Sequence, residues 1–109
     1  MNKPLRISKQ FYRDIDVVLG YLGDIAGVDV VRRFASAVES TRNHIRHFPS
    51  SGSLHYSEAA NIDNLRMFPV SRYRDYLLFY IDGSEEVVLV RLLHGNRDVG
   101  IELDSVDVD

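Results

Sequence analysis

The segment Arg91-Leu92-Leu93-His94-Gly95-Asn96-Arg97-Asp98 brings residues capable of chemistry closest together in this chain. It sets an arginine inside an otherwise apolar run, then a histidine, a tight Gly-Asn turn and an adjacent Arg-Asp pair. Burying an unpaired guanidinium costs several kcal/mol, so Arg91 must either point into a groove or meet a carboxylate such as Asp75. Arg97 and Asp98 either tie down the end of the chain or join Arg91 and His94 in a cationic rim. The four histidines also invite a metal reading. His44 and His47 lie one helical turn apart, but no glutamate completes a His-Glu-x-x-His pattern. A solvated pair at the basic end of a helix, where cations suit the dipole, accounts for them better. No metal and no cofactor is expected. Ser50-Ser51-Gly52-Ser53 resembles a nucleophile loop only superficially. The chain has no Gly-x-Ser-x-Gly elbow, and its seven glycines are too scattered for a phosphate loop. Hydrolase chemistry therefore has no support.

The elements that must position these residues are legible from hydrophobic period. Leu5-Arg6-Ile7 alternates like a short edge strand, and Ser8 follows as a helix N-cap. Phe11, Ile15, Val18, Leu19, Leu22, Ile25 and Ala26 recur at spacings of three and four, one face of an amphipathic helix that ends at Gly27. A second helix is expected from Asp29 as N-cap, with Val30, Val31, Phe34, Val38, Ile45 and Phe48 on its apolar stripe and Pro49 as its stop. So short a link makes the two an antiparallel hairpin. Residues 49–61 read as a mobile surface loop. The period then changes to two. Leu65–Phe68 is a short strand stopped by Pro69, and Tyr76–Ile81 and Val87–Leu93 form a hairpin around Asp82-Gly83-Ser84. The nearly continuous apolar run of the last strand marks it as central. In the strand before it, Leu77, Phe79 and Ile81 share one face, and Arg74, Tyr76, Leu78 and Tyr80 share the other. The helix hairpin covers one face, and the face carrying Arg74, Tyr76 and Tyr80 is expected to stay open as an amphipathic groove for a protein partner.

Composition bounds the function classes. A chain of 109 residues, 45% hydrophobic and 27% charged, forms one core and excludes a two-domain cofactor enzyme. No apolar run approaches the ~20 residues of a membrane span, the N-terminus does not resemble a secretory signal, and cysteine is absent. A cytoplasmic protein without membrane contact is expected. The net charge of −3 argues against broad attraction to nucleic acid. Removing the four carboxylates after Gly100 turns that −3 into +1, so a near-neutral domain over 1–100 is followed by an acidic tail over 101–109.

Three segments, Leu65-Arg66-Met67-Phe68-Pro69-Val70, Tyr73-Arg74-Asp75-Tyr76-Leu77-Leu78-Phe79-Tyr80 and Val90 to Asp98, together resemble the ParE/RelE toxin superfamily, in particular its ParE-like branch. With the helical hairpin, Phe48-Pro49 and Gly52, the resemblance spans roughly residues 5–98. It implies an α+β fold of β-α-α-β-β-β order: an N-terminal strand, an antiparallel helix hairpin and a mainly antiparallel sheet of three further strands. It further implies the toxin of a bacterial type II toxin–antitoxin pair, neutralised by a ParD-like antitoxin.

The superfamily divides by target. RelE-like members cleave messenger RNA on the ribosome and carry a tyrosine a few residues after an arginine that Arg97 could match. Here Val99-Gly100-Ile101-Glu102-Leu103-Asp104 follows, and carboxylates stand where that tyrosine is missing. The resemblance thus favours the ParE-like branch, which inhibits DNA gyrase by contact and without catalysis. RNA cleavage, with His94 as a substitute acid-base, is the alternative. Arg91, His94, Arg97 and Asp98 are the candidates for facing the target. Arg74, Tyr76 and Tyr80 are the candidates for antitoxin contact. No sequence-specific nucleic-acid binding by the toxin alone is expected.

Overall fold

Ser8 is the residue at which a strand becomes a helix. In the computed structural model, which describes residues 3–55, 62–96 and 99–103, β1 (Leu5–Ile7) ends at Ser8 and α1 (Lys9–Ala26) begins after it. The buried Ser8 hydroxyl accepts from the Phe11 amide at 3.1 Å and donates to the Val90 carbonyl at 3.0 Å. One side chain therefore caps the helix and fastens its first turn to the last strand. Gly27 ends α1 with a φ of +89°, a conformation that side chains disfavour. α2 (Val28–His47) starts at the next residue, so Gly27 serves both helices. Asp29 is not the N-cap expected of it; it lies in the first turn, where a carboxylate still favours the helix dipole. Phe48 caps the far end of α2 and is exposed rather than part of the core stripe. A single 3-10 turn, Pro49–Ser51, follows.

The sheet has the order β1-β5-β4-β3-β2, with β2 at Ser53–Leu54, β3 at Leu65–Val70, β4 at Tyr73–Asp82 and β5 at Val87–His94. β1 runs parallel to β5 and the other neighbours are antiparallel, so the sheet is mixed, and the two-residue β2 extends it within the segment expected to be a loop. The expected mobility of residues 56–61 falls outside the described residues. Pro69 does not stop β3. Pro69 still pairs with Leu77 in regular register, with its nitrogen on the side away from β4 where no ladder bond is needed, and the register shifts only between Pro69 and Val70. Among the described residues no helix is long and apolar enough to cross a membrane.

Both faces of the sheet are apolar, and the helix hairpin lands on the one expected to be open. Phe34, Val38 and Ile45 of α2 and Phe11 and Leu22 of α1 pack with Val70, Leu78, Tyr80, Leu89 and Leu92. Tyr80 is 0% exposed, which removes it as a direct antitoxin contact. Alternation states which residues share a face, and it cannot say which of two apolar faces a helix will choose. Tyr80 is suited to burial because its hydroxyl is satisfied locally: it donates to the Pro49 carbonyl at 2.6 Å and accepts from the Gly52 amide at 2.9 Å. Burial pushes the Tyr80 phenol above its ordinary value and keeps that donor protonated.

A second irregularity alters the register of β5. Phe79 pairs with Arg91 but Tyr80 pairs with Leu89, which leaves Val90 as an extra residue. Strict alternation would place Leu92 with Val88 and Val90. The bulge moves Leu92 to the helix side and Leu93 to the opposite one. That opposite face buries Leu65, Phe79, Val88, Val90 and Leu93, and α3 (Val99–Leu103) folds back on it with Leu103 fully buried. The boundary drawn after residue 100 therefore falls inside a packed helix.

Candidate functional interface

Asp14 sits on the packed face of α1, three residues after Phe11 and four before Val18, where a carboxylate needs partners. Its position faces β5 just beyond the end of β1, which would otherwise leave that edge unpaired. Asp14 Oδ2 accepts the Leu92 amide at 2.9 Å and Arg91 Nε at 2.8 Å, and Oδ1 accepts Arg91 Nη2 at 3.1 Å. Arg91 is 7% exposed and also reaches α3, where Nη1 donates to the Glu102 carbonyl at 2.9 Å and Nη2 to Glu102 Oε2 at 3.2 Å. Hydrogen bonding to Asp14 is the main cause that raises the Arg91 guanidinium above its already high ordinary value, against the opposing effect of burial. One arginine joins α1, β5 and α3.

Beside this junction lies a half-open cleft of about 430 Å³ between α1 and the end of β5. Val17, Val18 and Tyr21 form its helical wall, and Tyr76, Leu92 and His94 form its strand wall. Tyr76 shares its face with Leu78 and Tyr80 and packs on Phe34, with ring centroids 5.0 Å apart. Val70 pairs with Tyr73 while Pro69 pairs with Leu77, and this break turns Tyr73 toward Phe34 as well, at 5.2 Å. The His94 ring stands edge-on to Tyr76 at 4.9 Å. The Asn96 amide donates to His94 Nδ1 at 3.0 Å, which leaves the proton of a neutral ring on Nε2. Val17 and Tyr21 of this wall continue along α1 to Ile25 as an exposed apolar stripe, with exposures of 61, 57 and 61%. Ile25 belongs to this outer stripe and not to the core.

Of the residues singled out in the sequence, His94 and Tyr76 meet in the cleft, although they were assigned to different partners. Arg91 is an internal tie, and its carboxylates are Asp14 and Glu102 rather than Asp75. Arg74 is exposed on β4 and does not line the cleft. Arg97 and Asp98 lie outside the described residues. Val17 and Tyr21 were missed, yet their spacing of four, extended by Ile25, is a second apolar stripe visible in the sequence.

This arrangement can bind an apolar segment with a few polar anchors. The solved structure entitled "Chromosomal ParDE TA system from P. aeruginosa" is similar over 84% of this chain and 95% of that one, with a TM-score of 0.68 and 10% identity, a likeness of fold. No curated protein matches the chain. The family described as "ParE toxin of type II toxin-antitoxin system, parDE" matches residues 5–99, the whole sheet and the helix hairpin. The chain belongs to the ParE family of type II toxins.

Proposed function

We propose that the chain acts on DNA gyrase by protein contact, breaking no bonds itself, and that a ParD-like antitoxin neutralises it by folding a segment into the cleft between α1 and β5. The observation that carries the reading is the cleft: an apolar floor continuous with the Val17-Tyr21-Ile25 stripe, with Asp14 and His94 among its polar lining residues. Such a surface suits a partner that orders on binding. It is poorly suited to steadying a scissile phosphate, and Arg91, whose guanidinium is engaged by Asp14 and Glu102, is not free to do so. The family match over residues 5–99 supports the gyrase branch, and the cytoplasm, where gyrase works, is the proposed location. Arg74, His94, Arg97 and Asp98 remain the proposed contacts with macromolecular partners.

The purified chain, added to gyrase with relaxed plasmid, is expected to block supercoiling and accumulate cleaved DNA complexes, and to leave messenger RNA on ribosomes intact. Cut transcripts without gyrase inhibition would place it in the RNA-cleaving branch. Val17→Asp tests the cleft. The position is 61% exposed, so stability should change by no more than ~0.5 kcal/mol. Antitoxin affinity, measured by calorimetry, should fall at least ~30-fold, because a carboxylate must be desolvated against an apolar segment. Unchanged affinity would remove the cleft from the interface.

A further inference from the structure

A second cleft, of about 300 Å³, lies between α2 and the Ser71-Arg72 turn joining β3 to β4. α2 contributes Arg33, Ser36 and Ser40, at spacings of three and four that set them on one face. The turn contributes Ser71, Arg72 and Tyr73. Two arginines, three serines and a tyrosine thus line a concave space that no carboxylate lines. Among the described residues neither arginine has an ion-pair partner; Arg33 makes only a long 3.4 Å contact from Nε to the Asp29 backbone carbonyl.

The turn is held against the helix by more than chance contact. The Ser71 amide donates to Thr41 Oγ1 at 2.9 Å, and that buried hydroxyl donates to the Ala37 carbonyl at 2.8 Å. Arg72 has a φ of +68°, in the left-handed region where glycine or asparagine is the ordinary occupant. A long cationic side chain thus stands at a left-handed position, on a turn pinned to a helix that carries another arginine.

We propose that this cleft is an oxyanion site that takes a phosphoryl group. Arginine forks bind phosphate oxygens in bidentate fashion, and serine hydroxyls donate to the oxygens that remain. A tetrahedral group with three or four acceptor oxygens uses this donor set more completely than a planar carboxylate does. The site is independent of gyrase and of the antitoxin, and lies on different residues from the α1–β5 cleft.

The test is an NMR titration of the isotope-labelled full chain with inorganic phosphate, against sodium chloride at matched ionic strength. Saturable shifts are expected at the amides of Ser36, Ser40, Ser71 and Arg72 with phosphate and not with chloride. Arg72→Gly should weaken binding at least ~10-fold, and because glycine relieves the positive φ it should fold with unchanged or higher thermal stability. Arg33→Gln should weaken binding similarly. Equal shifts with chloride, no shifts with phosphate, or full affinity in a folded Arg72→Gly chain would overturn the proposal. Adenosine 5′-monophosphate and a short DNA duplex, titrated in the same way, distinguish the source: saturation by the nucleotide points to a small phosphate ester, and response to the duplex alone points to a nucleic-acid backbone.

Discussion

Arg91→Ala should destabilise the chain by about 3–5 kcal/mol, the largest effect of any single truncation outside the apolar core. The side chains of Arg91 and Asp14 are only 9% and 14% exposed, so removing the guanidinium leaves Asp14 desolvated with the Leu92 amide as its remaining neighbour. The same substitution cuts both bonds from Arg91 to Glu102, so α3 loses two hydrogen bonds to β5. For a domain of this size the midpoint of thermal unfolding should fall by roughly 10–25 °C. Because the folded-state pKa of Arg91 is raised, its contribution is fully present below the unfolded value and is lost only as pH rises through the folded one, so the loss on substitution should be constant across ordinary pH. Urea titrations of Arg91→Ala, Asp14→Ala and the double variant measure the coupling, which should exceed ~1.5 kcal/mol. A loss below ~1 kcal/mol would mean that the pair behaves as a solvated surface bridge.

Gly52→Ala should cost about 2–4 kcal/mol although the backbone there is unremarkable, with φ −72° and ψ 152°. The reason is space. An alanine Cβ would lie 2.5 Å from Tyr80 Oη and 2.9 Å from both the Met67 carbonyl oxygen and Tyr80 Cε1. The tyrosine is fully buried and has nowhere to move, and any shift breaks its bonds to Pro49 and Gly52. The Met67 oxygen is backbone. Tyr80→Phe alone should cost about 1–3 kcal/mol, since it leaves a buried carbonyl and amide without that partner. In the double variant the two losses should fall short of their sum, because removing the hydroxyl deletes the closest clash. Strict additivity by chemical denaturation would show that Gly52 and Tyr80 do not meet. Arg66, whose Nη1 donates to the carbonyls of Ser50 and Gly52, holds the same turn from β3.

Period and punctuation were enough to place β1, the two helices, the β4–β5 hairpin and the Ser8 cap, because each depends on residues within a few positions of one another. Burial of the whole of β5 was equally visible in its unbroken apolar run. The resemblance carried by Leu65–Asp98 pointed to the toxin family that the match over residues 5–99 establishes. Hidden from the sequence were events that join distant segments. Two register breaks, at Pro69/Val70 and Phe79/Tyr80, turned Tyr73 toward Phe34 and exchanged the faces of Leu92 and Leu93. Asp14 became the partner of Arg91 across 77 positions of chain.

The sequence by itself determined the elements, their order, the family and the need of Arg91 for a carboxylate, since helix and strand periods and the cost of burying charge are local properties of residue type. Only the tertiary structure decided which sheet face the helices cover, which carboxylates answer Arg91 and where the open cleft lies. With both sheet faces apolar, hydrophobic burial, which has no direction, favoured neither of them, and the bonds of Ser8 and Asp14 to β5 fasten the helices to the face they cover.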